Sequence, residues 1–175
     1  MVETLRKITG YQLREAIKRW ELQKSTAAKQ FDESLWAFEG DDKASPGELS
    51  DTFLKAEDAV AKLQTLQARY NLSVIVDVLG SKMSLCQAVK MVGGAGRHEK
   101  MWRNAATNSG QCGFAYGQNP MSRKTDEVHA KRTVSVKEAI ERADRAARFA
   151  SALRSAIALG NGQEREMEVP PELLD

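Results

Sequence analysis

The stretch SPGELSDTFLKAEDAVAKLQTLQARY, Ser45 to Tyr70, decides the fold. Ser45 with Glu48 three residues later has the spacing of a capping box. The hydroxyl accepts from a free first-turn amide, and the carboxylate reaches back to the cap amide. Pro46 falls at the first helical position, where its missing N–H is harmless. Leu49, Phe53, Ala56, Val60, Leu63, Gln67 and Tyr70 then follow in alternating steps of four and three. That is a heptad seam, the period of a helix that packs along its length against another.

The same Ser/Thr-x-x-Glu/Gln signal recurs at Thr9/Gln12, Ser84/Gln87 and Ser135/Glu138. Each match opens a helical apolar pattern, so the four together predict four helices. The first runs from about Gly10 to Phe38, with a stripe of Leu13, Ala16, Ile17, Trp20, Ala27, Phe31, Leu35 and Phe38 that Lys24 interrupts. A polar turn at residues 40–44 leads into the Ser45 helix, so these two should pack antiparallel as a hairpin.

After Tyr70 the period changes. In Ser73-Val74-Ile75-Val76-Asp77-Val78-Leu79 the β-branched residues dominate and Val74, Val76 and Val78 alternate, which predicts a strand. Gly80-Ser81 fits a type II′ turn returning through Lys82-Met83. The third helix follows Ser84, with Leu85, Ala88, Val89, Val92, Ala95, Trp102 and Ala106 on one face. Gly93, Gly94 and Gly96 lie in its middle, each costing about 1 kcal/mol against alanine. Either the helix breaks there or the glycines admit a closely packed neighbour. The apolar phase survives across them, which favours a continuous or kinked helix.

Residues 108–124 are glycine-rich and aperiodic, a loop. Residues 127–134 alternate weakly and could pair with the first strand. The fourth helix spans Val136 to Leu159, stopped by Gly160, with a stripe of Val136, Ile140, Ala143, Ala147, Ala150, Leu153 and Ile157. Glu138/Arg142, Glu141/Arg145 and Asp144/Arg148 give three i,i+4 pairs on its solvated face.

The expected fold is therefore mainly α: four long helices in an antiparallel bundle or coiled-coil arrangement. A small two- or three-stranded β element lies between helices two and three and before helix four. Residues 1–162 form one helical domain. Residues 163–175 form an acidic tail whose Pro170-Pro171 and Leu173-Leu174 dock on a neighbouring subunit.

The chain's 175 residues fit one domain. A formal net charge of +2 excludes a strongly basic nucleic-acid coat. The charge is nonetheless segregated. Residues 39–58 hold seven acids against two bases, residues 97–154 twelve bases against six acids, and residues 163–175 five acids against one base. Such segregation predicts complementary faces within or between copies. Cys86 and Cys112 are too few for a disulfide framework. The N-terminus leads into a polar helix and lacks a signal peptide's apolar core. No apolar run approaches the ~20 residues that span a bilayer. The expected location is cytoplasmic, or within a virion or particle assembled there.

Catalytic signals are weak. His98 and His129, the two histidines, lie on different elements without ligand spacing, and no metal or cofactor is expected. Gly93-Gly94-Ala95-Gly96-Arg97-His98-Glu99-Lys100 lacks the Lys-Ser/Thr ending and preceding strand of a phosphate loop. Cys86 in a first helical turn suits a lowered thiol pKa, but a nucleophile needs a base within reach, and His129 is the one to test. Glu15, Asp32, Glu33, Glu57 and Asp58 lie off the inward stripes and lack the Glu-x-x-His pairs of a di-metal bundle. An alanine-rich stripe is a poor membrane anchor.

Four segments carry a family resemblance: Leu66-Gln67-Ala68-Arg69-Tyr70-Asn71, Met83-Ser84-Leu85-Cys86-Gln87-Ala88-Val89, Met121-Ser122-Arg123 and Thr133-Val134-Ser135-Val136-Lys137-Glu138-Ala139. In this order the chain resembles a bacterial and phage-associated family with septicolysin-like members. The resemblance implies the helical fold. Its motifs are helix entries and bring no catalytic residue, and the insert at residues 93–96 departs from the pattern.

The preferred expectation is a non-enzymatic structural or assembly protein that forms homo-oligomers, such as a phage virion or mobile-element component. Its candidate interaction surface is Arg97, Lys100, Arg103, Arg123, Lys124, Lys131 and Arg132. Trp20, Phe31, Phe53 and Trp102 would then be core. The alternative is a nucleic-acid-binding accessory protein using this zone, 97–132, which includes the aromatic Trp102 and could hold phosphates.

Overall fold

The computed structural model describes residues 4–36, 44–107 and 133–174. In chain order the elements are β1 (Thr4–Ile8), α1 (Gly10–Ser34), α2 (Pro46–Ser73), β2 (Ile75–Val78), β3 (Ser81–Ser84), α3 (Leu85–Thr107), α4 (Val136–Asn161) and β4 (Arg165–Val169). A short 3-10 turn, Pro171–Leu173, follows. The fold is mainly α with two small antiparallel strand pairs, β1–β4 and β2–β3.

The caps form where the sequence places them. Thr9 and Ser45 make complete capping boxes with Gln12 and Glu48. Ser84 and Ser135 accept the amides of Gln87 and Glu138. The backbone N–H of Ser45 donates to Glu48 at 3.0 Å, and this bond, with that from the Ser45 hydroxyl, holds the Glu48 carboxyl below its ordinary value. α1 ends at Ser34, whose hydroxyl donates to the Phe31 carbonyl; such local bonding competes with the helical ladder. The expected end at Phe38 lies outside the described residues.

The helices pack as two hairpins, α1 on α2 and α3 on α4. In the first, Leu13, Ala16, Ile17 and Ala27 are buried against the seam of Leu49, Ala56, Val60, Leu63 and Tyr70. Lys24, the break in the α1 stripe, bridges to Glu57 of α2 at 2.8 Å. In the second hairpin the α4 seam is rotated from the expected stripe. Ala139, Ala143, Ala146, Ala150, Leu153, Ala156 and Gly160 are buried, while Val136 and Ile140 stay about half exposed. A row of alanines allows close approach, and the larger side chains flank it.

The hairpins meet at one end. There the Tyr70 hydroxyl lies 2.8 Å from the Gly160 carbonyl and 2.6 Å from that of Gln163, sharing one proton between them. Gly10 and Gly160 make this joint possible. A Cβ on Gly10 would fall 2.5 Å from the Asn161 Oδ1 and 2.8 Å from the Tyr70 ring; one on Gly160 would fall 2.8 Å from Val76. Gly160 is thus a close-packing position rather than a stop, and α4 runs on to Asn161.

Three further expectations change. α3 is continuous through its glycines, as the apolar phase favours, but without a closely packed helix: among the described residues a Cβ on Gly94 would meet nothing within 4 Å, and one on Gly96 only the end of the Arg154 side chain at 3.8 Å. The β2–β3 turn places positive φ at Leu79 (54°) and Gly80 (86°), the pattern of a type I′ rather than a type II′ turn. The Asp77 side chain accepts from the Gly80 amide. Residues near the N-terminus, read as a helix entry, form β1 instead.

That strand pairs with β4, so residues 163–175 are not a separate tail. Val169 and Leu173 are buried in the chain's own core. The Trp20 indole and the Arg19 guanidinium donate to the carbonyls of Leu173 and Leu174. The expected strand at residues 127–134 and loop at 108–124 lie almost wholly outside the described residues. No described helix is long and apolar enough to cross a membrane.

Candidate functional site

The candidate surface begins with the helical register of α3. Arg97, Lys100 and Met101 are exposed and stand three or four residues apart, so they share one flank. Arg97 and Lys100 form no ion pair among the described residues. Arg103 is paired with Glu99 at 2.9 Å and is partly neutralised. The remaining four expected residues, Arg123, Lys124, Lys131 and Arg132, lie outside the described residues. The structure therefore brings together two of the seven as free cations.

The opposite flank of α3 holds a cluster that the sequence pattern did not single out. Trp102 donates its indole N–H to the His98 Nε2 at 3.0 Å, and the two rings meet edge to face at 6.5 Å. The Arg142 guanidinium of α4 sits 4.7 Å from the Trp102 ring centre, in cation–π range. Glu138 holds Arg142 at 2.7 Å. These residues open onto a groove of about 610 Å³ lined by His98, Trp102, Arg142, Arg145, Ala146 and Phe149. Of the three expected i,i+4 pairs on α4, only Glu138/Arg142 forms among the described residues. Arg145 and Arg148 instead aim their Nε at the backbone carbonyls of Glu141 and Asp144, both at 3.4 Å. The spacing of Arg142, Arg145 and Phe149 at three and four residues was the available signal, obscured by their apparent place on a solvated face.

The charge is divided by hairpin. α3 and α4 carry nine basic and four acidic residues; α1 and α2 carry eight of each. The acidic counterpart lies around β4, where Glu164, Glu166, Glu168 and Glu172 are exposed and none forms an ion pair among the described residues. Leu5 of β1, 64% exposed, stands across from Glu168 in the strand register.

The remaining chemical candidates do not assemble among the described residues. Cys86 is a free, half-buried thiol, and His129 lies outside the described residues. Glu15, Glu33, Glu57 and Asp58 pair with Lys18, Lys29, Lys24 and Lys62. No described group of three His, Cys, Asp or Glu could hold a metal ion. Comparison with protein-family models, curated proteins and solved structures finds no match.

Proposed function

We propose that this chain is a non-enzymatic assembly subunit that associates with its own copies through opposed charge. The basic α3 flank of one copy would meet the acidic β4 edge of the next. The observation that carries this reading is a pair of oppositely charged surfaces that form no ion pair among the described residues: Arg97 and Lys100 on one, and Glu164, Glu166, Glu168 and Glu172 on the other, with Lys7 the one cation across from them in the β1–β4 register. Each also has an exposed apolar residue, Met101 and Leu5, to exclude water at the centre of a contact. Two different patches make a heterologous contact, which builds a closed ring or an open filament. A virion or other particle is the setting such a subunit would serve.

The experiment is solution mass by light scattering after size exclusion, at about 0.05 M and about 1 M salt. A discrete oligomer that loosens in high salt is expected. Glu166→Lys with Glu168→Lys should leave a monomer, and mixing it with the Arg97→Glu, Lys100→Glu variant should restore association, because the intact flank of the first meets the intact edge of the second and the two reversed patches are again opposite in charge. A monomer for the unmodified chain at both salts would sink the reading.

A further inference from the structure

We propose that the groove between α3 and α4 binds a phosphate carried beside a planar base, that is, a nucleotide unit. This is independent of the assembly reading, because the groove's lining residues on α3 and α4 include none of the residues of the proposed contact. Three features fix the ligand's chemistry. The first is charge: Arg142 and Arg145 lie one helical turn apart, no carboxylate is among the groove's described lining residues, and Arg145 carries its charge free of the Glu138 pairing that partly neutralises Arg142. Arg142 is oriented in advance, over Trp102 and against Glu138, while exposed Arg145 has no acidic partner among the described residues. Guanidinium forks suit phosphate oxygens, which accept two parallel bonds.

The second feature is aromatic surface. Trp102 and Phe149 line the same groove from the two helices, both half-buried. Aromatic faces beside arginines are how proteins hold unpaired bases, since every base offers a π-face. The third is a further donor. His98 accepts the indole proton at Nε2, so its neutral ring carries hydrogen on Nδ1. A carboxylate-bearing peptide would use the arginines but not the paired aromatic rings. A paired duplex would hide the bases the rings need.

The unit can come from a free nucleotide or from a single strand, and one experiment separates them. Fluorescein-labelled oligothymidylate of about twelve nucleotides is titrated with the full chain at about 50 mM salt and read by fluorescence anisotropy. Saturable binding is expected. Arg145→Ala, an exposed change that leaves the packing intact, should weaken it about fivefold or more, and Trp102→Ala should do the same. Arg97→Ala, on the other flank, should stay within about twofold, since it removes only long-range charge. Displacement by millimolar thymidine monophosphate assigns the site to free nucleotides; displacement by unlabelled strand alone assigns it to single strands. Circular dichroism of Trp102→Ala shows whether that variant is folded, and Arg145→Ala decides if it is not. Absence of saturable binding, equal displacement by polyglutamate, or an unchanged Arg145→Ala would overturn the proposal. Running the titration also on the Glu166→Lys, Glu168→Lys variant keeps its outcome separate from that of assembly.

Discussion

The joined end of the two hairpins and their free ends are built from the same helices but by different means. At the joint, large side chains from every part of the chain interlock: Ile8, Leu13, Leu63, Tyr70, Leu85, Leu153 and Val169 are almost wholly buried in one cluster. Towards the free ends burial thins to the seam alone. Five alanines, Ala27, Ala56, Ala139, Ala143 and Ala146, are buried there outside that main cluster, with only Leu49 and Val60 of larger size among the described residues. Burying an alanine removes little apolar area, and hydrophobic stabilisation scales with area. The joint therefore carries the stability and, on β4, the acidic surface, while the α3–α4 hairpin beyond it carries the basic flank and the groove.

The largest effects should follow from changes at the joint. Tyr70→Phe keeps the ring but strips the proton from the Gly160 and Gln163 carbonyls, which face it in a buried site. A loss of about 1–1.5 kcal/mol in urea unfolding is expected, since the Gly160 carbonyl keeps the Gln163 amide but the part-buried Gln163 carbonyl loses the hydroxyl. A variant as stable as the parent would show that water reaches those carbonyls and that the joint is looser than its packing implies. Gly160→Ala comes next. The added methyl would press on Val76 at 2.8 Å and Leu85 at 3.0 Å. Overpacking of about 1–3 kcal/mol should outweigh the gain of about 1 kcal/mol in helix propensity, leaving a net loss.

The same substitution should change sign on the other hairpin. Gly94 is exposed in the middle of α3, and a Cβ there would have open space. Gly94→Ala is expected to stabilise by about 1 kcal/mol, with a higher thermal midpoint and unchanged helix content. Destabilisation at Gly94 would mean that something packs on that face, and an oligomer contact would be the first place to look.

This contrast also explains what the sequence made legible. Caps and seams are local signals, so Thr9, Ser45, Ser84 and Ser135 mark the helix starts, and the α2 heptad gives five buried positions, with Phe53 and Gln67 only half-buried and Ala59 and Leu66 buried beside the seam. β1 and β4 were missed because each is five residues long and its partner lies about 160 residues away; the alternation of Glu166-Met167-Glu168-Val169 is too short, beside Pro170-Pro171, to stand out from an acidic tail. The glycines misled for a related reason. Their spacing says where a Cβ is missing, and only tertiary structure says whether anything fills the space. At Gly10 and Gly160 something does, and at Gly93 and Gly94 nothing rigid does. The candidate site was legible as a basic tendency around residues 97–103. The groove itself was not, because Arg142, Arg145 and Phe149 reach Trp102 only through the antiparallel pairing of α3 with α4.

The smallest expected effect tests a free end directly. Glu48 closes the cap that opens α2, far from the joint, and its carboxyl is held below the ordinary value of 4.5 mainly by the Ser45 amide bond. A carboxyl with a lowered folded value stabilises when ionised. Its contribution is present above pH 4.5 and is lost as pH falls through the lower, folded value. Glu48→Gln retains an oxygen that accepts from Ser45 but cannot titrate. The thermal midpoint of the parent minus that of the variant should therefore be constant from about pH 7 to about pH 5 and shrink below 4.5. Because the cap anchors only the thin end of its hairpin, the change should appear as early fraying in hydrogen exchange at the start of α2, with the Tyr70 region still protected. Loss of protection at Tyr70 in the same pH range would show that the two ends unfold as one unit, and the division between joint and free ends would fail.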